Sequence, residues 1–340
     1  MPPRLLFLVS SAREIELGDG RSHVTGIFAE EALTPYQRFV ESGLEVLVAT
    51  PDGQPPLVDP YGLEHFFHYL DEDEDFLGTV VRTFHHDVDD IRITLHHLTE
   101  LDLAASRRIF LALKDAGLSP EDARGRVNRA AKIAWQQDRN LVDVLVDEDL
   151  AGTLSRERLD GLVAETNAAA RGEADQVAAQ LAAIPGFQQP AALSTMTDEE
   201  MAGFDAVFVP GGHGPMVDLA DNPDVSRLLK ILHEKEATVA ALCHGPAALL
   251  SAGGREDGQW LFEGYRMTAF TDEEEDQTRP GSYGMPWMVD VALKNAGAVF
   301  DDAPAAWTSH VVVDRNLVTG QNPMSSDAVA DAVLKSLHVL

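Results

Sequence analysis

Val239-Ala-Ala-Leu-Cys243-His244-Gly245-Pro246-Ala-Ala-Leu-Leu250 is the stretch around which the chain is organised. Four apolar residues read as a buried strand and run into Cys243, and Gly245-Pro246 then opens an apolar helical pattern. The single cysteine of the 340 residues therefore falls on a strand-to-helix turn. A sharp turn of that kind pushes a reactive atom out beyond the sheet. The helix end behind it carries partial positive charge and free N–H groups, which favour a thiolate over a thiol. A lone cysteine is also at home as a small buried hydrophobe. The residues around it have to decide between the two roles.

Composition narrows the choice. A hydrophobic share of 45% is ordinary for a globular protein, and 340 residues exceed one doubly wound domain, so an insertion or a second domain is expected. One cysteine excludes an intrachain disulfide and fits a reducing cytoplasm. Arg4-Leu-Leu-Phe-Leu-Val9 is too short an apolar run for a secretory leader and reads as the first strand. No stretch approaches the ~20 apolar residues of a membrane helix. A net charge of −30 argues against nucleic acid or an anionic membrane as partner. Lysine occurs only at 114, 132, 230, 235, 294 and 335; this acidic, lysine-poor composition suggests a salt-adapted or high-GC source.

Working outward from the elbow, strands and helices alternate. Arg4–Ser10 and Glu45–Thr50 are continuous apolar runs of the kind buried on both faces of a parallel sheet. Between them Thr25–Gly43 carries a helical pattern closed by Gly43, with Pro35 predicting a kink or break. Strand, helix, strand at this spacing defines an α/β fold with a parallel sheet. Phe204–Val209 is a strand leading into Pro210-Gly-Gly-His-Gly214, and a helix from Pro223 to Lys235 precedes the elbow strand. Arg266–Thr271 reads as a further strand, Met285–Ala296 as a helix, and His310–Gly320 as a hairpin turning at Asp314-Arg-Asn316. A last amphipathic helix covers 325–340.

Between these parts lies a region with almost no strand signal. Helical periodicity marks 98–116, 119–138, 141–147, 155–165 and 171–183, with Ser119-Pro-Glu-Asp122 as a cap signal. The expected organisation is an α/β domain of 1–89 and 188–340, interrupted by an all-helical insertion at 90–187. Asp71–Asp75 is a charge run expected on a solvated surface. Six of the twelve histidines fall at 65, 68, 85, 86, 96 and 97, yet no spacing there matches His-Glu-x-x-His, so no metal is expected.

Chemistry-bearing residues gather at the carboxyl ends of the predicted strands, where α/β sheets bind ligands. The Gly211-Gly212-His213 loop precedes Cys243 by one βα unit, and glycines there let backbone N–H groups approach an anion or oxyanion. His244 adjoins the cysteine, although a direct bond between consecutive residues requires a strained elbow. Glu30 or Glu31 follows the first strand and could reach Cys243; on one helix only one of them points inward.

Thr25-Gly-Ile-Phe-Ala-Glu-Glu31-Ala-Leu-Thr-Pro35, Val209-Pro-Gly-Gly-His-Gly214, Ala241-Leu-Cys-His-Gly-Pro-Ala247, Thr268-Ala-Phe-Thr-Asp-Glu-Glu-Glu275 and Leu317-Val-Thr-Gly-Gln-Asn-Pro323 occur in the order seen in the ThiJ/PfpI superfamily. The chain resembles its chaperone/glyoxalase III branch over about 1–80 and 195–340. The resemblance implies a doubly wound, flavodoxin-like sheet of the class I glutamine amidotransferase type. It implies Cys243 as nucleophile, His244 as its partner and Glu31 as the acid beside the thiol. A third acid orienting the histidine is placed at Glu275, with Glu274 and Asp272 as the neighbouring registers. Backbone N–H groups of Gly212 and His244 are implied as the oxyanion site, in a pocket formed with Gly211, His213 and Gly245.

That branch implies cofactor-independent conversion of methylglyoxal-type 2-oxoaldehydes to 2-hydroxy acids by a cytoplasmic homodimer. A holdase chaperone, or a thiol hydrolase acting on amides or glycated substrates, is the alternative. The insertion is loosely similar to the C-terminal helical region of the fumarase/adenylosuccinate lyase superfamily, without a lyase catalytic loop. It is expected to be a cap or an oligomer-forming module.

Overall fold

Side-chain alternation along β1 (Arg4–Leu8) shows how the sheet is built: Leu5 and Phe7 point to one face, Leu6 and Leu8 to the other, and all four are fully buried. Only a strand covered on both faces has that pattern. A computed structural model describes residues 2–18, 20–59, 102–137, 139–147, 153–253, 259–278, 281 and 284–340. After β1 the chain forms a small hairpin, β2 (Glu14–Glu16) and β3 (Ser22–Val24), then α1 (Ala29–Glu41) and β4 (Glu45–Thr50). After the helices of residues 106–188 follow β5 (Ala191–Ala192), β6 (Ala206–Val209), α2 (Pro223–Glu234), β7 (Thr238–Leu242) and a 3-10 segment, Gly245–Ala252. Then come β8 (Arg266–Met267), the one-turn helix Asp272–Glu275, α3 (Val289–Ala296), β9 (Val299–Phe300), β10 (Val311–Asp314), β11 (Leu317–Gly320) and α4 (Ser326–Ser336).

Seven strands form the main sheet in the order β10-β11-β7-β6-β1-β4-β5. All its pairs are parallel except the β10–β11 hairpin. Apolar residues of α2, the 3-10 segment and α3 pack with Leu6, Leu8, Val207 and Val239 on one face. Those of α1 and α4 pack with Phe7, Phe208 and Ala240 on the other, where Phe7, Phe39 and Phe208 meet edge to face or tilted. The fold is a doubly wound, mainly parallel α/β sheet. The strand order, not the strand direction, reverses between β1 and β6, which run parallel, and this puts the loops after β1, β6 and β7 side by side.

Several local expectations are corrected. Pro35 does not break α1; its ring is tolerated for the loss of the one hydrogen bond that a residue-35 N–H would give the Glu31 carbonyl. Residues 268–271 are not a strand: Thr268 N bonds the Thr319 hydroxyl at 2.9 Å and Phe270 N the Cys243 carbonyl at 2.9 Å, so their donors leave the ladder. Only Arg266–Met267 pairs, with β9 in a separate two-stranded sheet. α3 starts at Val289 rather than Met285, and α4 stops at Ser336. One continuous helix, Arg156–Ala183, replaces the two expected at 155–165 and 171–183, because Thr166-Asn-Ala-Ala-Ala170 offers good helix formers and no breaker.

The chain divides into two compact units: Met1–Leu63, Gln176–Glu275 and Tyr283–Leu340 in one, Glu64–Asp175 and Asp276–Ser282 in the other. Within the second, helices Ser106–Asp115, Pro120–Gln136 and Leu141–Asp147 bury Ile109, Leu113, Val127, Leu141 and Leu145. The Ser119 hydroxyl accepts from Asp122 N at 3.1 Å, the expected cap. The histidines at 65–97, the charge run at 71–75, the helix start at 98 and the boundary at 89–90 lie outside the described residues. Among the described residues no helix is long and apolar enough to cross a membrane.

Candidate active site

Cys243 follows β7 directly and holds a φ of 59°, a conformation an L residue adopts only under constraint. The constraint is visible. Cys243 N donates to the Gly320 carbonyl at 2.9 Å, and its own carbonyl accepts from Phe270 N at 2.9 Å. The turn is tight because nothing larger than glycine fits after it: a Cβ on Gly245 would lie 2.2 Å from the Val209 carbonyl oxygen. This strained elbow brings consecutive side chains together, with Cys243 Sγ 3.3 Å from His244 Nδ1.

His244 is held from its far side. Its Nε2 lies 2.6 Å from Glu275 Oε2, and its ring stacks at a tilt 4.6 Å from Phe270. Among the three acids considered for this position, Glu275 is the one that meets His244. Glu274 turns the other way and accepts from Trp307 N at 2.7 Å, Asn322 Nδ2 at 2.8 Å and Gln321 Nε2 at 3.0 Å, tying three loops together. Asp272 is exposed and bonds the N–H of Glu273. Burial, then the neighbouring His213, push the His244 pKa down, so its ring is neutral near pH 7. With Nε2–H donated to Glu275, the Nδ1 lone pair faces the sulfur; this tautomer is assigned from the network.

Glu31, not Glu30, points inward. It is fully buried in the first turn of α1, and its Oε2 accepts from Gly211 N at 2.8 Å, while Oε1 has no hydrogen-bond partner in the described structure. Burial pushes its carboxyl up to about 8, so it carries a proton at neutral pH and can donate that proton to Cys243. The sequence predicted a thiol pK lowered by a helix end. The structure reverses that: burial, then the Glu31, Glu274 and Glu275 carboxyls, push the Cys243 thiol well up. The Nδ1 atom of His244, 3.3 Å from the sulfur, is placed to accept the thiol proton.

The glycine loop is shaped by the same contacts. A Cβ on Gly211 would lie 2.5 Å from Glu31 Oε2 and 2.7 Å from Cys243 Cβ; Gly212 adopts a φ of 87° and passes over the Gly26 carbonyl. The Gly211 N–H is committed to Glu31, so this amide holds the carboxyl and is not an oxyanion donor. The Gly212 and His244 N–H groups make no hydrogen bond to another described residue. The segment after β1 is tied to the turn that follows this loop by Asp218, whose carboxylate accepts from Ser10 Oγ at 2.7 Å, Ser11 N at 2.8 Å and Ala12 N at 3.0 Å.

His213, expected in the pocket, is instead the centre of a second buried cluster. Its Nε2 lies 3.0 Å from Glu275 Oε1, so one carboxylate bridges two histidines whose ring centres are 4.4 Å apart. Its Nδ1 faces Asp59 Oδ2 at 3.8 Å, and His23 Nε2 lies 3.7 Å from the same oxygen. Burial opposes a charge on His213, but Glu275 and Asp59 outweigh it and push its pKa up to about 10. Burial likewise opposes charge on both acids, yet the histidines hold Glu275 and Asp59 well below the usual carboxylate range. Asp59 and His23 escaped the sequence reading, because nothing in Leu57-Val-Asp59 or Ser22-His23-Val24 signals a pairing over such chain distances. Two groups, His23–Asp59–His213 and His213–His244–Glu275, bring potential ligand atoms within 4.8 Å of one another.

Together these features define a class: a doubly wound α/β protein with a cysteine on a strained strand-to-helix elbow, backed by histidine and acid. Residues 170–336 match the DJ-1/PfpI family. Glu31 lies outside the matched segment. The bovine glutamine amidotransferase-like class 1 domain-containing protein 1 is 36% identical over 143 residues, covering 42% of this chain and 62% of that protein. Protein/nucleic acid deglycase HchA of Pseudomonas aeruginosa (strain UCBPP-PA14) is 31% identical over 164 residues, covering 45% of this chain and 55% of that protein. The chain thus spans less than two thirds of these relatives. The solved structure of glyoxalase III from Candida albicans superposes with a TM-score of 0.53 at 18% identity over 98% of this chain and 97% of that one, a likeness of fold.

Proposed function

We propose that the protein is an enzyme of reactive carbonyl chemistry that converts methylglyoxal-type 2-oxoaldehydes to 2-hydroxy acids without an added cofactor. The observation that carries this is the line Cys243 Sγ–His244 Nδ1–Glu275, at 3.3 and 2.6 Å, with Glu31 against the thiol. His244 takes the thiol proton as sulfur attacks the aldehyde carbon, and a hemithioacetal forms. The Gly212 and His244 N–H groups are assigned to the developing oxyanion. His244 then carries the proton from the aldehyde carbon to the adjacent ketone carbon, leaving a 2-hydroxyacyl thioester. Water opens the thioester, giving lactate from methylglyoxal and restoring the thiol. The hydride-equivalent moves within the substrate, so no external oxidant or reductant enters the balance.

Deglycation is the second reading, favoured by the similarity to HchA; a hemithioacetal or thioester on Cys243 serves either reaction. A holdase role would not need the thiol. The same proposal takes the protein as a cytoplasmic homodimer, with 90–187 as an oligomer-forming or capping module. Lactate release from methylglyoxal, measured beside release of free amine from glycated amines, tests the reading. Wild type should produce lactate and Cys243→Ala should lose at least ~10³-fold, as removal of an activated nucleophile does. Equal lactate production by the two proteins defeats the proposal.

A further inference from the structure

We propose that His23 Nε2, Asp59 Oδ2 and His213 Nδ1 form a binding site for one zinc-type divalent cation. The three residues come from distant parts of one unit: His23 from β3, Asp59 from the segment after β4, His213 from the glycine loop. Backbone bonds hold them together. Ile27 N donates to the Leu57 carbonyl at 2.8 Å and Asp59 N to the Ile27 carbonyl at 2.9 Å, while Phe28 N donates to the Gly211 carbonyl at 3.2 Å. The site is therefore set by the scaffold rather than by side-chain chance.

Distances favour a cation over hydrogen bonds. Asp59 Oδ2 stands 3.7 Å from His23 Nε2 and 3.8 Å from His213 Nδ1, too far for N–H···O bonds. Zinc ligands at 2.0–2.1 Å in a tetrahedron stand roughly 3.3–3.4 Å apart, so a closure of about 0.4 Å suffices for each Asp59–histidine pair, and all three donor atoms already lie within 4.8 Å of one another. The His23 ring nitrogen is shielded from solvent and has no hydrogen-bond partner in the described structure, a cost that a metal bond removes. Two carboxylates, Asp59 and Glu275, flank His213 and call for positive charge there.

The surroundings are those of a built metal site. Glu275 Oε1 lies 3.0 Å from His213 Nε2, which fixes the tautomer that leaves Nδ1 to the ion, and Thr25 Oγ1 donates to Asp59 Oδ2 at 3.2 Å. Two imidazoles and one carboxylate select zinc-type ions over magnesium or calcium, which take all-oxygen shells. Three protein donors leave a fourth position for water or an exogenous ligand.

Zinc and cobalt(II) are the probes. Full-length protein stripped with chelator and dialysed against zinc should retain one equivalent, and cobalt(II) should give the visible d–d bands of a low-coordinate site. His23→Ala should weaken zinc at least tenfold and abolish the bands, while His23→Cys, which restores a ligand, should recover zinc. His23 lies on an edge hairpin, so circular dichroism and the metal-free melting temperature should match wild type, and Asp59→Asn provides an independent second loss. Failure of wild type to hold stoichiometric zinc, or equal zinc and cobalt spectra in wild type and His23→Ala, overturns the proposal. Metal stoichiometry and the cobalt bands are read without turnover, so this test is judged independently of lactate formation at Cys243.

Discussion

Replacement of Glu31 by glutamine isolates the most perturbed acid beside the thiol. The folded carboxyl titrates at about 8, against 4.5 for the unperturbed group, because it is buried. Between those values the folded protein keeps a proton that the unfolded chain releases, so stability falls as pH rises. That contribution is intact below pH 4.5 and is lost once pH has passed through 8. At 1.36 kcal/mol per pH unit the gap amounts to about 5 kcal/mol. Glutamine is isosteric, keeps an acceptor for Gly211 N and cannot ionise. Wild type should therefore lose about 5 kcal/mol relative to Glu31→Gln between pH 4.5 and 9, or roughly 10 °C in melting temperature for a domain of this size. Denaturant and thermal unfolding of both proteins at half-unit pH steps measure the difference. Groups common to both, including Asp59, His213 and Glu275, cancel in it. A wild-type-minus-variant difference that stays flat across this range would show that Glu31 is ionised in the folded protein, and the argument for a proton donor to Cys243 would fail.

Glu275→Gln should lower kcat for lactate formation by roughly 10²–10⁴-fold with KM changed little, since the amide leaves His244 without its orienting carboxylate; an unchanged kcat would remove Glu275 from the mechanism. Gly211→Ala should destabilise by about 1–3 kcal/mol and abolish activity, because the new Cβ meets Glu31, Cys243 and the His244 N–H at under 3 Å; full activity with an unchanged melt would contradict the close approach. With a net charge of −30, the melting temperature should rise from low to molar salt as self-repulsion is screened, and indifference to salt would exclude a salt-adapted surface.

Local sequence by itself determined the scaffold. Runs such as Leu5–Val9 and Val239–Leu242 can be buried only between two helical layers, and Gly-Pro after Cys243 signals the elbow, so sheet, hairpin and turn were all readable from periodicity and punctuation. The Gly211–His213 loop was legible because it directly follows a strand of the sheet, and Glu31 because it opens the first helix of the βαβ unit. Tertiary structure decided what depends on through-space distance. Glu30, Glu31, Glu274 and Glu275 are chemically interchangeable in sequence, and packing alone turns Glu31 onto the thiol and Glu275 onto two histidines. Gly211, read as part of an oxyanion site, turned out to spend its N–H on Glu31. The thiol's ionisation changed sign between the two levels for the same reason. A helix terminus is a local feature, whereas burial among three carboxyl groups at 31, 274 and 275 arises only when the chain folds. Likewise His23, Asp59 and His213 have no common sequence signal and meet only through the backbone bonds that join residues 25–28 to residues 57–59 and to Gly211.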